Sequence, residues 1–87
     1  MSRRVWNPDI DVLKVRPMDD YCLEIEFSDG ITVVYDASYL VGKGVFKRFE
    51  DKGFFNRAHV GYGTVVWDDV LDIAPEALYE DSKLVVR

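Results

Sequence analysis

The side chains able to do chemistry here are few: one histidine, one cysteine, a run of carboxylates and a handful of hydroxyls. A general base needs a positioned partner, and a metal site needs three or four ligands at suitable spacing. His59 has no cysteine near it in sequence and no local carboxylate pairing, so it reads as a structural or surface histidine. Making it a base would require an acid from across the fold, such as Asp68 or Asp69 in a concave pocket. Cys22 falls on the polar face of a strand beside glutamates that raise its pKa and discourage thiolate chemistry. Asp68, Asp69, Asp72, Glu76, Glu80 and Asp81 form the densest acidic stretch. Paired carboxylates can hold a divalent cation or run acid–base chemistry on sugars, but the calcium-loop spacing is absent. Alternation with Val70, Leu71 and Ile73 instead suits an exposed loop over core. Ser28, Ser38, Thr64 and Ser82 carry no nucleophile-elbow or serine–lysine signature. Gly42-Lys43-Gly44 lacks the spacing and the preceding strand of a phosphate loop and reads as helix-ending punctuation. No catalytic residue, metal or cofactor is expected, and the chain is read as a non-enzyme.

What remains is a surface. Residues 43–57 hold five basic side chains (Lys43, Lys47, Arg48, Lys52, Arg57) and two acidic ones, a local +3 that leaves −8 for the rest of a −5 chain. Aromatics stacked beside basic residues can bind single-stranded nucleic acid. Most of Tyr35, Phe46, Phe49, Phe54, Phe55, Tyr62 and Trp67 are nevertheless needed to build the core of so small a domain. Tyr62, between glycines at a bend, and Trp6 are expected to be at least partly exposed, and an exposed aromatic often marks a contact surface. The candidate interaction patch is therefore Lys43, Lys47, Arg48, Arg57 and Tyr62.

The elements that must position this patch follow from hydrophobic periodicity. Residues 1–10 read as a flexible arm, polar apart from Val5 and Trp6 and broken by Pro8. Leu13 and Val15 alternate with Lys14 and Arg16, and Tyr21, Leu23, Ile25 and Phe27 alternate with Cys22, Glu24 and Glu26, the period of half-buried strands. A third strand, Ile31 to Tyr35, follows the turn Ser28-Asp29-Gly30. A two-residue turn there would put Ile31, Val33 and Tyr35 on the glutamate face. A three-residue turn pairs Phe27 with Ile31, Ile25 with Val33 and Leu23 with Tyr35 on one apolar face, so the second register is expected, with Gly30 in the left-handed bulge position. Lys14 and Arg16 then lie alongside Glu24 and Glu26 on a solvated face.

Beyond Asp36 the period changes. Asp36 can cap a short helix from Ala37 to Val41, stopped by Gly42. Val45 to Phe49 suits one or two helical turns lying on the sheet, and Asp51 to Phe55 a further turn. His59-Val60 and Thr64 to Trp67 read as strand pieces around Gly61-Tyr62-Gly63. Asp68 and Asp69 mark a turn, Asp72-Ile73 a short bridge, and Pro75 the first residue of a helix that packs Leu78 and Tyr79 back. Lys83 to Arg87 is an edge strand or a tail.

Composition sets the outer limits. Eighty-seven residues make one small domain, burying about 60–65% of the surface the unfolded chain would expose. Apolar content of 48%, with 14% aromatics, is enough to fold alone. No apolar run approaches the roughly 20 residues needed to cross a bilayer, and the N-terminus lacks a hydrophobic signal region, so a cytoplasmic location without membrane association is expected. A single cysteine agrees with a reducing compartment. Net acidity argues against direct nucleic-acid binding.

The landmarks Asp11-Val12-Leu13-Lys14-Val15, Leu23-Glu24-Ile25-Glu26-Phe27-Ser28-Asp29-Gly30, Gly44-Val45-Phe46, Asp51-Lys52-Gly53-Phe54-Phe55, Gly63-Thr64-Val65-Val66-Trp67 and Asp72-Ile73-Ala74-Pro75-Glu76-Ala77-Leu78-Tyr79 occur in that order. This chain resembles the small bacterial domain-of-unknown-function family number 2442 over about residues 10–80. The Gly-Thr-Val-Val-Trp strand and the Ile-Ala-Pro-Glu end are its most specific pieces. The resemblance implies a compact bacterial, cytosolic α+β domain without an assigned activity. Some longer relatives append a helix-turn-helix domain, which implies a module for dimerisation, sensing or partner binding; these 87 residues are expected to carry no such extension.

The expected architecture is α+β: a small antiparallel sheet, made of a three-stranded meander plus one or two later strands, with short helices packed on one face. Residues 11–80 form the single domain, flanked by the 1–10 arm and by 81–87. The expected function is a protein-interaction or regulatory accessory module, antitoxin-like in its most concrete form, with a protein partner or self-association. The alternative is a nucleic-acid-binding accessory domain using residues 43–57.

Overall fold

A computed structural model of the chain describes residues 4–68 and 71–85. Its nucleus is the meander the alternation predicts: β1 (Val12–Met18), β2 (Cys22–Phe27) and β3 (Thr32–Asp36) pair antiparallel in sequence order. Leu23 lies opposite Tyr35 and Ile25 opposite Val33. The turn has three residues. Phe27 N donates to Ile31 O at 2.8 Å, Gly30 N donates to Phe27 O at 3.0 Å, and Gly30 takes φ +90°. Leu23, Ile25, Phe27, Val33 and Tyr35 are all essentially buried on the inner face, because only this register keeps Glu24 and Glu26 off it. One later strand, β7 (Lys83–Leu84), pairs with β3 and makes a four-stranded sheet. Lys83 and Leu84 thus form an edge strand, one of the two alternatives the sequence left open; Val86 and Arg87 lie outside the described residues.

The first strand departs from simple alternation. A bulge lies between Val12, which faces Phe27, and Lys14, which faces Glu26. The extra residue is Leu13, put out of the ladder and 52% exposed, while Val12 takes the buried place. Val15 remains on the inner face, half-buried. The alternation therefore holds from Lys14 onward, and the apolar residue the core uses before it is Val12.

The later strands form a sheet of their own: β4 (His59–Gly61), β5 (Thr64–Val66) and β6 (Asp72–Ile73) in that order. It leans on the first sheet through Val12 N, which donates to Gly63 O at 3.1 Å. A single helical turn at Ser38–Leu40, a seven-residue 3-10 stretch at Gly44–Glu50 and the four-residue α1 (Lys52–Phe55) bridge the sheets. Asp51 Oδ1 accepts from Gly53 N at 2.9 Å and caps α1, whereas Asp36, the expected cap, accepts from Ser38 N at 2.9 Å from one residue ahead of the cap position, which Ala37 holds. These turns bring Phe49 and Phe55 onto Trp67, with Phe54 against Phe49. The Phe49 and Trp67 rings are 4.6 Å apart, and Trp67 Nε1 donates to Phe55 O at 2.8 Å. Helix α2 (Pro75–Glu80) starts with its proline in the first turn and buries Leu78 and Tyr79 against Phe27. Residues 4–10 lie across its end: Arg4 Nη2 donates to Ser82 O at 2.6 Å, and Trp6 N to Glu80 Oε2 at 3.0 Å. Trp6 is half-buried.

Two buried phenols make stability sensitive to alkali. Tyr79 donates to Asp29 Oδ2 at 2.6 Å, and this bond, with burial second, raises its pKa. Burial raises Tyr35 further, with its hydrogen bond to Tyr39 adding to the effect. The folded state thus holds both phenolic protons more tightly than the unfolded chain does. Their contribution is complete below the ordinary phenol value of about 10 and is lost as pH rises through the folded-state values. The urea midpoint should therefore begin to fall at about pH 10, and Tyr79→Phe should shallow that fall. A midpoint unchanged up to about pH 12 would show that these phenols are not linked to folding.

Candidate interaction surface

The β4–β5 hairpin closes with a two-residue loop, since Gly61 pairs with Thr64 and leaves Tyr62 and Gly63 at the tip. Both have positive φ, +54° and +76°, as the primed hairpin turns require. Glycine serves the second position, where an added Cβ would meet Asp11 Oδ1 at 2.9 Å. Gly61 is equally constrained: its Cβ would meet Val66 Cγ2 at 2.8 Å. The first loop position usually takes Asn, Asp or Gly, and here it holds a tyrosine that is 95% exposed.

Two of the expected basic residues converge beside it. Arg48 and Arg57 line one concavity of about 410 Å³ with Asp51, Gly53 and Phe54. The Arg48 guanidinium stacks 4.0 Å from the Phe54 ring centre, and its Nη1 donates to Asp68 Oδ2 at 2.6 Å. Arg57 also lines a neighbouring concavity of about 520 Å³ with His59, Val60, Gly61, Tyr62, Val66, Trp67 and Asp68. Arg57 is the hinge of the surface, flanked by Arg48 and Phe54 on one side and by Tyr62 on the other.

The remaining cations of the segment go elsewhere. Lys43 Nζ lies 5.9 Å from the Tyr39 ring centre, and Lys52 Nζ lies 5.6 Å from that of Tyr21. Lys47 is exposed and lines neither concavity. The run of five basic residues is thus split around the short helical turns and does not form one positive track.

His59 and Asp68 share the larger concavity. The histidine is exposed, with Nδ1 2.9 Å from Arg57 O, and Asp68 holds Arg48 through Oδ2 and the Leu71 amide through Oδ1. Among the described residues no serine, threonine, cysteine or lysine lines that concavity. Among the described residues no three His, Cys, Asp or Glu side chains group as metal ligands, and Asp69 lies outside those residues. The Cys22 thiol is shifted up, as expected. The first cause is burial, followed by Asp36 on the facing strand and Asp20, not the glutamates two and four residues along.

A third groove, of about 530 Å³, was not legible in the chain. The face carrying Lys14, Arg16, Glu24 and Glu26 forms its floor, and Ala58, His59 and Val60 form its wall. Its charges cancel locally: Arg16 Nη2 lies 3.2 Å from Glu24 Oε1, and Lys14 sits opposite Glu26. Only the lean of the second sheet against β1 turns this face into a groove.

These features define a small α+β domain whose outward-facing aromatic and arginines gather at one hairpin and the turn beside it. The chain belongs to the family described as "Protein of unknown function (DUF2442)", which it matches over residues 12–83. No curated protein and no solved structure matches it. Among the described residues no helix is long and apolar enough to cross a membrane.

Proposed function

We propose that this domain is a non-enzymatic protein-interaction module, in its most concrete form a regulatory accessory or antitoxin-like protein, which grips its partner with Tyr62, Arg57 and Arg48. Tyr62 is the observation that carries the reading. A bulky side chain held at positive φ costs about 1–3 kcal/mol, and such strain concentrates at functional positions. Tyr21 provides the comparison. It too has positive φ, +61°, but its ring packs edge-on against Phe55 with centroids 5.1 Å apart, and its hydroxyl reaches Glu50 O at 3.4 Å. Tyr62 has the strain without the packing. A partner that covers its ring supplies the missing contact, and tyrosine and arginine are the residues most enriched at interface hot spots. The division of the basic segment among three places, with Asp51 and Asp68 beside the arginines, supports a protein partner over a nucleic acid, which needs several adjacent cations.

The test is affinity capture from extract of the source organism, using the tagged protein and a variant combining Tyr62→Ala, Lys47→Glu and Arg48→Glu. The wild type should retain a stoichiometric protein that the variant loses. Identical capture by both would mean that another face does the binding.

A further inference from the structure

The geometry points to a carboxylate-recognition site between Arg48 and Arg57, built for a short acidic segment of the partner protein whose neighbouring apolar side chain lies against Tyr62. This inference rests on the interaction reading and names the chemistry of the partner.

Arg48 is held before any partner arrives, with its guanidinium carbon over the Phe54 ring, 4.0 Å from the centre, and its Nη1 on Asp68 Oδ2. A planar, oriented fork is the donor arrangement that matches a carboxylate, which can accept two parallel N–H bonds from it. The site already holds one carboxylate, since Asp68 Oδ2 accepts from Arg48 Nη1. That pair is open to solvent, the side chains being 56% and 31% exposed, so exchanging one carboxylate for another costs little. Asp68 therefore acts as an internal stand-in for an incoming acid.

Arg57 lines the same concavity and makes no ion pair among the described residues. An acidic side chain entering between the two arginines satisfies Arg57 and competes with Asp68 for Arg48. Arg57 also borders the concavity that Tyr62 overhangs, so a chain continuing from the acid passes Val60, Gly61 and Tyr62. Gly61, with no side chain, leaves that path open. The occupant this fits is an extended segment alternating acidic and apolar residues. A polyphosphate backbone fits worse, because Asp51 and Asp68 lie among the arginines and interrupt the positive surface.

The experiment is fluorescence anisotropy with a labelled hexapeptide of alternating Glu and Leu, a Lys and Leu counterpart and a short oligothymidylate, at low salt. The Glu peptide should bind saturably and the Lys peptide should not. Arg57→Gln should weaken binding about tenfold, the loss of one charged hydrogen-bonding partner. Asp68→Asn keeps an acceptor for the Leu71 amide and removes the competing charge, so it should tighten binding about threefold. A gain of affinity cannot come from misfolding. Absence of Glu-peptide binding, indifference to both substitutions, or tighter binding of the oligothymidylate would overturn the inference. Capture of a protein partner from extract without Glu-peptide binding sinks this inference and leaves the interaction reading standing. Glu-peptide binding without any captured partner leaves the carboxylate site standing and overturns its assignment to a partner protein.

Discussion

Replacing Trp67 with alanine should destabilise the domain by about 3–5 kcal/mol, enough to leave much of it unfolded at physiological temperature. The ring is 1% exposed and sits where the two sheets and the helical turns meet. Phe49 lies 4.6 Å and Phe55 6.0 Å from it, centroid to centroid. The substitution opens a cavity between these rings, which the short turns carrying them cannot collapse to fill. It also removes the indole N–H from Phe55 O, which keeps the Ala58 amide as its donor at 3.2 Å, so most of the loss comes from packing. A domain of this size starts near the low end of the usual 5–15 kcal/mol, so the loss takes most of its stability. Urea unfolding followed by far-ultraviolet circular dichroism measures it. Trp67→Phe, which keeps a ring but not the N–H, should fall between the alanine variant and the wild type. A loss below about 1 kcal/mol for Trp67→Ala would mean that the core is not centred on this residue.

Tyr62→Asn should do the opposite to stability and more to binding. Asn-Gly is the preferred pair for a two-residue hairpin loop with both residues at positive φ, and asparagine tolerates the left-handed region that tyrosine resists. Because the ring is 95% exposed, its removal forfeits almost no packing. The folded state should therefore gain about 1 kcal/mol, the low end of the strain that tyrosine carries there. Partner affinity should fall by roughly 30-fold or more, the effect of deleting an aromatic hot spot of about 2 kcal/mol. Opposite signs from one substitution separate a contact residue from a structural one.

Much of the framework was legible because it depends on local periodicity. The alternation over Leu23 to Phe27, together with the need to keep Glu24 and Glu26 off the core, was enough to select the three-residue turn and its register. Asp36 and Pro75 announced their turns through side-chain hydrogen bonding and dihedral preference alone. Tyr62 stood out because glycines flank it. The bulge at Leu13 was hidden: one extra residue in a short strand leaves the apolar count unchanged, and Val12 substitutes for Leu13 without a compositional trace. The separation of β4, β5 and β6 into a second sheet, and the groove it creates over Lys14 and Glu24, depend on long-range packing that no local pattern records. The same holds for Arg4 and Trp6, whose hydrogen bonds to Tyr79, Glu80 and Ser82 span more than seventy residues. The basic segment was misleading as a string. Short turns redirect its side chains every few residues, so adjacency in sequence gave Lys43, Lys47, Arg48 and Arg57 as one patch, whereas the concavity beside Phe54 takes in Arg48 and Arg57.

The most direct measurement pairs two readings on one substitution: the unfolding midpoint of Tyr62→Asn and its retention of the captured partner, each against the wild type. A higher midpoint with the partner lost is the predicted result, placing the strained tyrosine at the interface. A higher midpoint with the partner fully retained would contradict the account, leaving Tyr62 as an exposed loop residue with no part in recognition.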